Sequence, residues 1–143
     1  MPTTFAARAT SGQNTIPPAT MSAAFNRGKV RVYTDTITFA SQADGDDIVL
    51  FGSRVPKGSV FLGGMTTASA TAGSTATLAI GITGATGKYR AAATHTTTAP
   101  TLFGVHAAHG VASTADEQIL VTIAAAALPS SGTLTVTMYF AEE

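Results

Sequence analysis

The chain predicts an all-β fold: an antiparallel β-sandwich, jelly-roll-like, behind an extended N-terminal arm. Three observations carry this. Short segments rich in β-branched and aromatic residues recur, separated by clusters of Gly, Pro, Ser or Asp. No stretch shows the long amphipathic period of the crossover helices that a parallel sheet needs. And Thr133 to Phe140, T-L-T-V-T-M-Y-F, alternates cleanly. Leu134, Val136, Met138 and Phe140 share one face, and Thr133, Thr135, Thr137 and Tyr139 the other, as in a half-buried antiparallel strand. Two parts are expected: an arm over residues 1–28 and a sandwich of seven or eight strands over residues 29–143.

The arm has no sustained period of 2 or 3.6. Pro17-Pro18 forces an extended path. Phe5, Ile16, Met21 and Phe25 are spaced along it, a pattern suited to gaining order against a neighbour. Lys29 to Ala40 starts with Val30 and Val32 on one face and Arg31 and Tyr33 on the other, then continues with β-prone Thr, Ile and Phe. Ser41 to Asp47 is a loop. Ile48 to Val55, the turn Pro56-Lys57-Gly58 and Val60 to Met65 read as a hairpin, with the rest of the chain laid against it. Thr66 to Ser74 is a strand end and a turn; Ala76 to Thr83 is a strand; Gly84 to Gly87 is a turn. K-Y-R-A-A-A from Lys88 has some helical propensity, although the T-H-T-T-T after it is β-prone. Leu102 to Val105 is a short strand, His106 to Glu117 a loop or loose strand, Gln118 to Ala125 a strand, and Leu128 to Gly132 a turn.

Composition narrows the function. Among 143 residues, 27 are Ala and 25 are Thr, and only 11% are charged, against about 25% in ordinary domains. A surface with so little charge is poorly protected against association, which points to burial in an assembly. The net charge is zero, and Arg8, Arg27, Lys29 and Arg31 form only a mild basic cluster. Nucleic acid is therefore not an expected partner. No apolar run approaches the ~18 residues of a membrane span, and the N-terminus lacks the layout of a secretory signal. With no cysteine there is no disulfide framework, zinc knuckle or thiol nucleophile.

The stretches that could carry chemistry each have a simpler reading. Asp44-Gly45-Asp46-Asp47 resembles a calcium loop, but the twelfth position, where an EF-hand needs Glu, is Val55. A turn with Asx bonding is expected there. Gly81 to Lys88 resembles a phosphate loop, but Gly81 and Gly87 are one residue too far apart and Tyr89 follows the lysine. His106 and His109 are three apart outside any helix, and a zinc site with His95 would still need Asp116 or Glu117. Serines 59, 74, 113, 130 and 131 lie in or beside turns, none in G-x-S-x-G. Glu142 and Glu143 read as a solvated tail. Neither catalysis nor a cofactor or metal is expected.

The succession V-P-K-G-S-V-F-L-G-G, A-T-L-A-I-G, K-Y-R-A-A-A, Q-I-L-V-T-I-A-A-A and S-G-T-L-T-V-T-M-Y-F resembles small virion proteins of tailed bacteriophages, the head decoration or cement proteins. The resemblance spans roughly residues 30–140 and is a rhythm of strands and glycines. It implies a jelly-roll-like sandwich, made in the host cytoplasm and placed on the capsid exterior as a homo-oligomer, dimer or trimer. There it would clamp neighbouring capsomers of the major capsid protein. N-terminal segments vary in that family, so residues 1–28 map onto nothing known. Phe5, Arg8, Ile16, Met21, Phe25 and Arg27 are the expected contacts to capsid or subunit. The Thr-rich strand faces leave a second reading, a carbohydrate-binding or host-adhesion module on the virion surface.

Overall fold

The computed structural model describes residues 28–142, which form eight strands in two antiparallel sheets. In chain order these are β1 (Lys29–Thr38), β2 (Asp47–Val49), β3 (Val60–Ala68), β4 (Thr77–Ile82), β5 (Ala85–Thr94), β6 (Thr101–Phe103), β7 (Leu120–Ala124) and β8 (Thr133–Glu142). One sheet runs β1-β8-β3-β6 and the other β2-β7-β4-β5. That pair of orders is a jelly roll, two interleaved Greek keys that press one face of each sheet into a shared core. The all-β sandwich expected from the sequence is what forms.

The last strand organises the first sheet. β8 pairs along its whole length with β1, from Lys29↔Glu142 to Thr38↔Thr133, and on its other side with β3. Its alternation sorts as the sequence indicates: Leu134, Val136, Met138 and Phe140 are fully buried, and the threonines and Tyr139 face outward. Across the sandwich they meet Leu78 and Ile80 of β4 and Val121 and Ile123 of β7 in one core cluster. Aromatic rings tie the middle. Phe61 lies 4.7 Å from Tyr89 and 5.6 Å from Phe140, and Tyr33 lies 5.6 Å from Phe140 in an edge-to-face arrangement. Such pairs add about 0.5–1.5 kcal/mol each beyond area burial.

Three expectations need correcting. The hairpin over residues 48–65 does not form, because β2 belongs to one sheet and β3 to the other. The strand stops at Val49 because Phe51 and Gly52 adopt φ of 67° and 57°, which an extended chain cannot hold. The segment after them crosses between the sheets, and its Val55 makes an isolated bridge to Glu117. Second, K-Y-R-A-A-A lies in β5, because pairing with β4 overrides the helical preference of its alanines. Third, the turn between β4 and β5 is Thr83-Gly84, ahead of Gly84 to Gly87. On β1 the expected split of Val30 and Val32 from Tyr33 holds: Tyr33 and Ile37 take the inward face, and Val30 and Val32 point outward at 58% and 54% exposure.

Two polar arrangements, one half-buried and one buried, hold irregular backbone. The Asp35 carboxylate accepts hydrogen bonds from the amides of Thr36 and Phe51, both at 2.8 Å. It thereby ties edge strand β1 to the left-handed Phe51. Between β4 and β5 the register shifts on both sides of Ile80↔Arg90. The buried Arg90 guanidinium donates to the carbonyls of Leu78, Ala93 and Thr94. Burial lowers the pKa of Arg90. Beside it His95 is 2% exposed, and its Nε2 has no hydrogen-bonding partner among the described residues. Burial, reinforced by the Arg90 charge, holds the His95 imidazole below its ordinary pKa.

Two outcomes follow. Asp35→Ala strands the Phe51 amide and should lower stability by about 1–3 kcal/mol in urea unfolding; an unchanged midpoint would refute the tie. For His95, the unfolded chain takes up a proton more readily than the folded one. Its contribution is thus complete above the unfolded pKa of about 6.5 and is lost as pH falls below it, until the lower folded pKa is passed. His95→Gln should flatten the decline in urea midpoint on acidification from neutral pH. Parallel declines in the two proteins would show that His95 plays no part.

Candidate functional site

The outward face of the β1-β8-β3-β6 sheet divides along the strands. Toward Thr38 and Thr133 it is a field of hydroxyls. Thr34 and Thr137 lie 3.2 Å apart across the strands, Thr36 and Thr135 2.9 Å, and Thr133 donates to Ser69 at 3.1 Å. Toward the start of β1 it becomes apolar. Val32 is opposite Tyr139, Tyr139 is opposite Gly63, and Met65 is opposite Leu102. Leu62 is 37% exposed and Leu102 80%, so large apolar side chains from β1, β3 and β6 face out together.

Backbone irregularity cuts a cleft into this apolar half. The register of β3 against β8 slips between Phe61 and Gly63, which pushes Leu62 out of the ladder. At Gly64 a Cβ would sit 2.2 Å from Phe103 Cζ, so only glycine lets that ring lie against the strand. The cleft has a volume of about 280 Å³ and is lined by Leu62, Gly63, Gly64, Leu102, Phe103, Gly104, His109 and Tyr139. Its rim is fixed by His109 Nε2, 2.9 Å from the Leu62 carbonyl, and by Gly110, whose amide donates to the Phe61 carbonyl at 2.9 Å. His109 sits in a helical turn closed by its own amide on the Val105 carbonyl at 3.1 Å. His106 lies in the same turn and is exposed.

The ionisable groups are engaged in holding the fold. In the acidic loop, Asp46 accepts from the Ala43 amide at 2.7 Å, Asp44 from the Ala125 amide at 3.1 Å, and Asp47 from the Thr122 hydroxyl. The loop is a turn, as the sequence suggests, but its carboxylates reach back to Ala43 and across to Thr122 and Ala125 in place of the expected Asx bonding two residues on. Among the described residues no three His, Asp or Glu side chains group in a way that could hold a metal ion. Glu117 is 5% exposed. One of its oxygens pairs with Lys88 and the other accepts from the Tyr89 hydroxyl. Burial, and then the Glu117 contact, pushes the Tyr89 pKa far up. Lys88 and Glu117 line a groove that also includes Arg54, Thr83 and Asp116, while Tyr89 lies buried behind them.

Glu142 is not a solvated tail. It ends β8 with its carboxylate 2.9 Å from the Tyr33 hydroxyl, which donates to it, and 3.2 Å from Arg31 Nε. Tyr33 is shifted upward by burial first. The contact staples the start of β1 to the end of β8, where residues 1–27 join the sandwich. Those residues, with the expected contacts Phe5, Arg8, Ile16, Met21, Phe25 and Arg27, lie outside the described residues, as does Glu143. Nothing local in the sequence marks Glu117, which stands 28 positions from Tyr89. The cleft had a faint signal: the adjacent Gly63 and Gly64 amid the apolar Val60 to Met65.

No protein-family model matches the chain, and no curated protein matches it. Solved structures do match its fold. A chain from the capsid asymmetric unit of cyanophage Pam1 superposes with a TM-score of 0.67 at 19% identity, over 81% of this chain and 86% of that one. One from the capsid of Ralstonia phage GP4 gives 0.66 at 19% identity with the same coverage. One from the acid-stable capsid of Helicobacter pylori bacteriophage KHP30 gives 0.56 at 10% identity, over 78% of this chain and 86% of that one. At such identities the correspondence is one of fold: nearly the whole sandwich shares its jelly roll with chains found in phage capsids.

Proposed function

We propose that this protein is a structural component of a tailed-phage virion, a decoration or cement protein on the outer surface of the icosahedral head. The observation that carries the reading is the fold correspondence along most of the chain with chains of three phage capsids. The physical character of the molecule supports it. Its charged content is 11%, its outward face is hydroxyl and apolar, and the carboxylates of Asp35, Asp44 and Glu117 serve backbone and side-chain ties. The partners in this reading are the major capsid protein and further copies of the chain, as a dimer or trimer. Weak contacts repeated over a shell gain strength through multivalency. Phe5, Arg8, Ile16, Met21, Phe25 and Arg27 would supply contacts from the arm.

The test is add-back of the purified protein to expanded heads that lack it, followed by pelleting and heat challenge. Stoichiometric pelleting with raised head stability is expected, and removal of residues 1–28 should weaken binding by about tenfold or more. Undiminished binding without the arm would remove it from the interface. Failure of the full chain to bind heads would overturn the cement role and favour the adhesion module, which a glycan screen would then examine.

A further inference from the structure

We propose that the open edge of β1 pairs with β1 of a second copy, antiparallel about a two-fold axis at Val32, so that their β1-β8-β3-β6 sheets run on as one. β1 is the edge of its sheet and pairs with β8 along its whole length without a register shift. The Phe39 amide donates to the Gly132 carbonyl at 2.8 Å, in line with that ladder. Odd-numbered residues of β1 therefore bond to β8, and even-numbered ones aim amide and carbonyl at the open edge. Side chains close the far end of that edge. Gln42 accepts from the Ala40 amide and donates to the Thr38 carbonyl, and Asp35 accepts from the Thr36 amide, each at 2.8 Å. The backbone groups of Val30, Val32 and Thr34 have no such partner among the described residues.

The other edges are short or blunted. β2 and β6 have three residues each. On β5 the register is broken, the Tyr89 carbonyl accepts from the Val105 amide, and the carbonyls of Ala93 and Thr94 accept from Arg90. Natural sheets guard their edges in such ways, and the start of β1 is left without them. Its open groups complement themselves. About an axis at Val32, Val32 faces Val32 of the second copy and Val30 faces Thr34 of the second copy, and each such pair exchanges both amide-to-carbonyl bonds. This register uses the open groups and no capped one; an axis at Tyr33 would need the Thr36 amide, which Asp35 already holds. It also sets Lys29 opposite Asp35 of the second copy, unlike charges on one face. Val30 and Val32, which stand 58% and 54% exposed, gain apolar neighbours across the axis. The pairing takes its expectation of self-association from the virion reading and its place and symmetry from the edge. Head binding by add-back and mass in free solution are read separately, so either can fail without the other.

Light scattering on the full-length protein over a concentration series tests it, and a dimer that dissociates on dilution is expected. Val32→Pro removes an edge-facing amide that β8 does not use, so the fold should be retained and the dimer weakened by about tenfold or more. Val32→Lys, which sets like charges face to face at the axis, should weaken it too without altering the backbone. The chain has no cysteine, so single introduced thiols report the register. Under mild oxidation Val32→Cys should link to its own copy, since directly opposite residues lie about 5.5 Å apart. Val30→Cys and Thr34→Cys, each about 14 Å from its own copy, should link to one another when mixed and not to themselves. A chain that stays monomeric up to about millimolar concentration, or that closes as a trimer, overturns the pairing. So does a dimer indifferent to both Val32→Pro and Val32→Lys, or Thr34→Cys linking to itself as fast as Val32→Cys. A monomer whose Val30, Val32 and Thr34 amides resist hydrogen exchange would assign the edge to the chain's own N-terminal segment and overturn the two-fold contact.

Discussion

Phe140 is the point on which both sheets close. Its ring is fully buried and packs against Tyr33 of β1, Phe61 of β3 and Tyr89 of β5, so one side chain joins three strands across two sheets. Its position is set by the parity of β8, which cannot slip by one residue without turning Leu134, Val136, Met138 and Phe140 out to solvent. Ten paired positions with β1 and a second ladder with β3 follow from that register. The outward order of Thr135, Thr137 and Tyr139 follows as well. Core and surface are thus two readings of the same alternation.

Polar groups inside the sandwich concentrate where that regularity fails. Arg90 donates to carbonyls beside the shifts between β4 and β5. Asp35 holds a left-handed Phe51 at the bend after β2. Glu117 joins Lys88 and Tyr89 to the loop before β7. Each satisfies groups whose burial without a partner would cost about 1–3 kcal/mol. The ionisable residues of this low-charge chain are thereby largely committed to architecture.

The parts of the fold that were legible in the sequence are those written in local pattern. The strict alternation of Thr133 to Phe140 identified β8 and its buried face, and the apolar run Gln118 to Ala125 marked β7. Strand partnership was not legible: Val49 and Val60 lie eleven residues apart, yet their strands sit in different sheets because of positive φ at Phe51 and Gly52. On β1 the alternation separates Val30 and Val32 from Tyr33, but which face is inside is decided by packing: Tyr33 and Ile37 take it. The cleft is hardly written in the sequence, because it arises from a slipped register at Leu62 and a ring packed on Gly64, and neither leaves more than a pair of glycines there. The Glu117 cluster joins residues far apart in the chain that only the finished fold brings together.

The hydroxyl half of the outward face has a consequence for the environments in which this protein can work. Thr34, Thr36, Thr135 and Thr137 bond to one another across β1 and β8, and none of them changes protonation in water. Beside them lie valine, leucine and methionine. Such a surface presents almost no electric field for dissolved ions to screen. An association formed through it is governed by shape and the area removed from water, so salt does not weaken it by screening, and strongly excluded salts such as sulfate strengthen it.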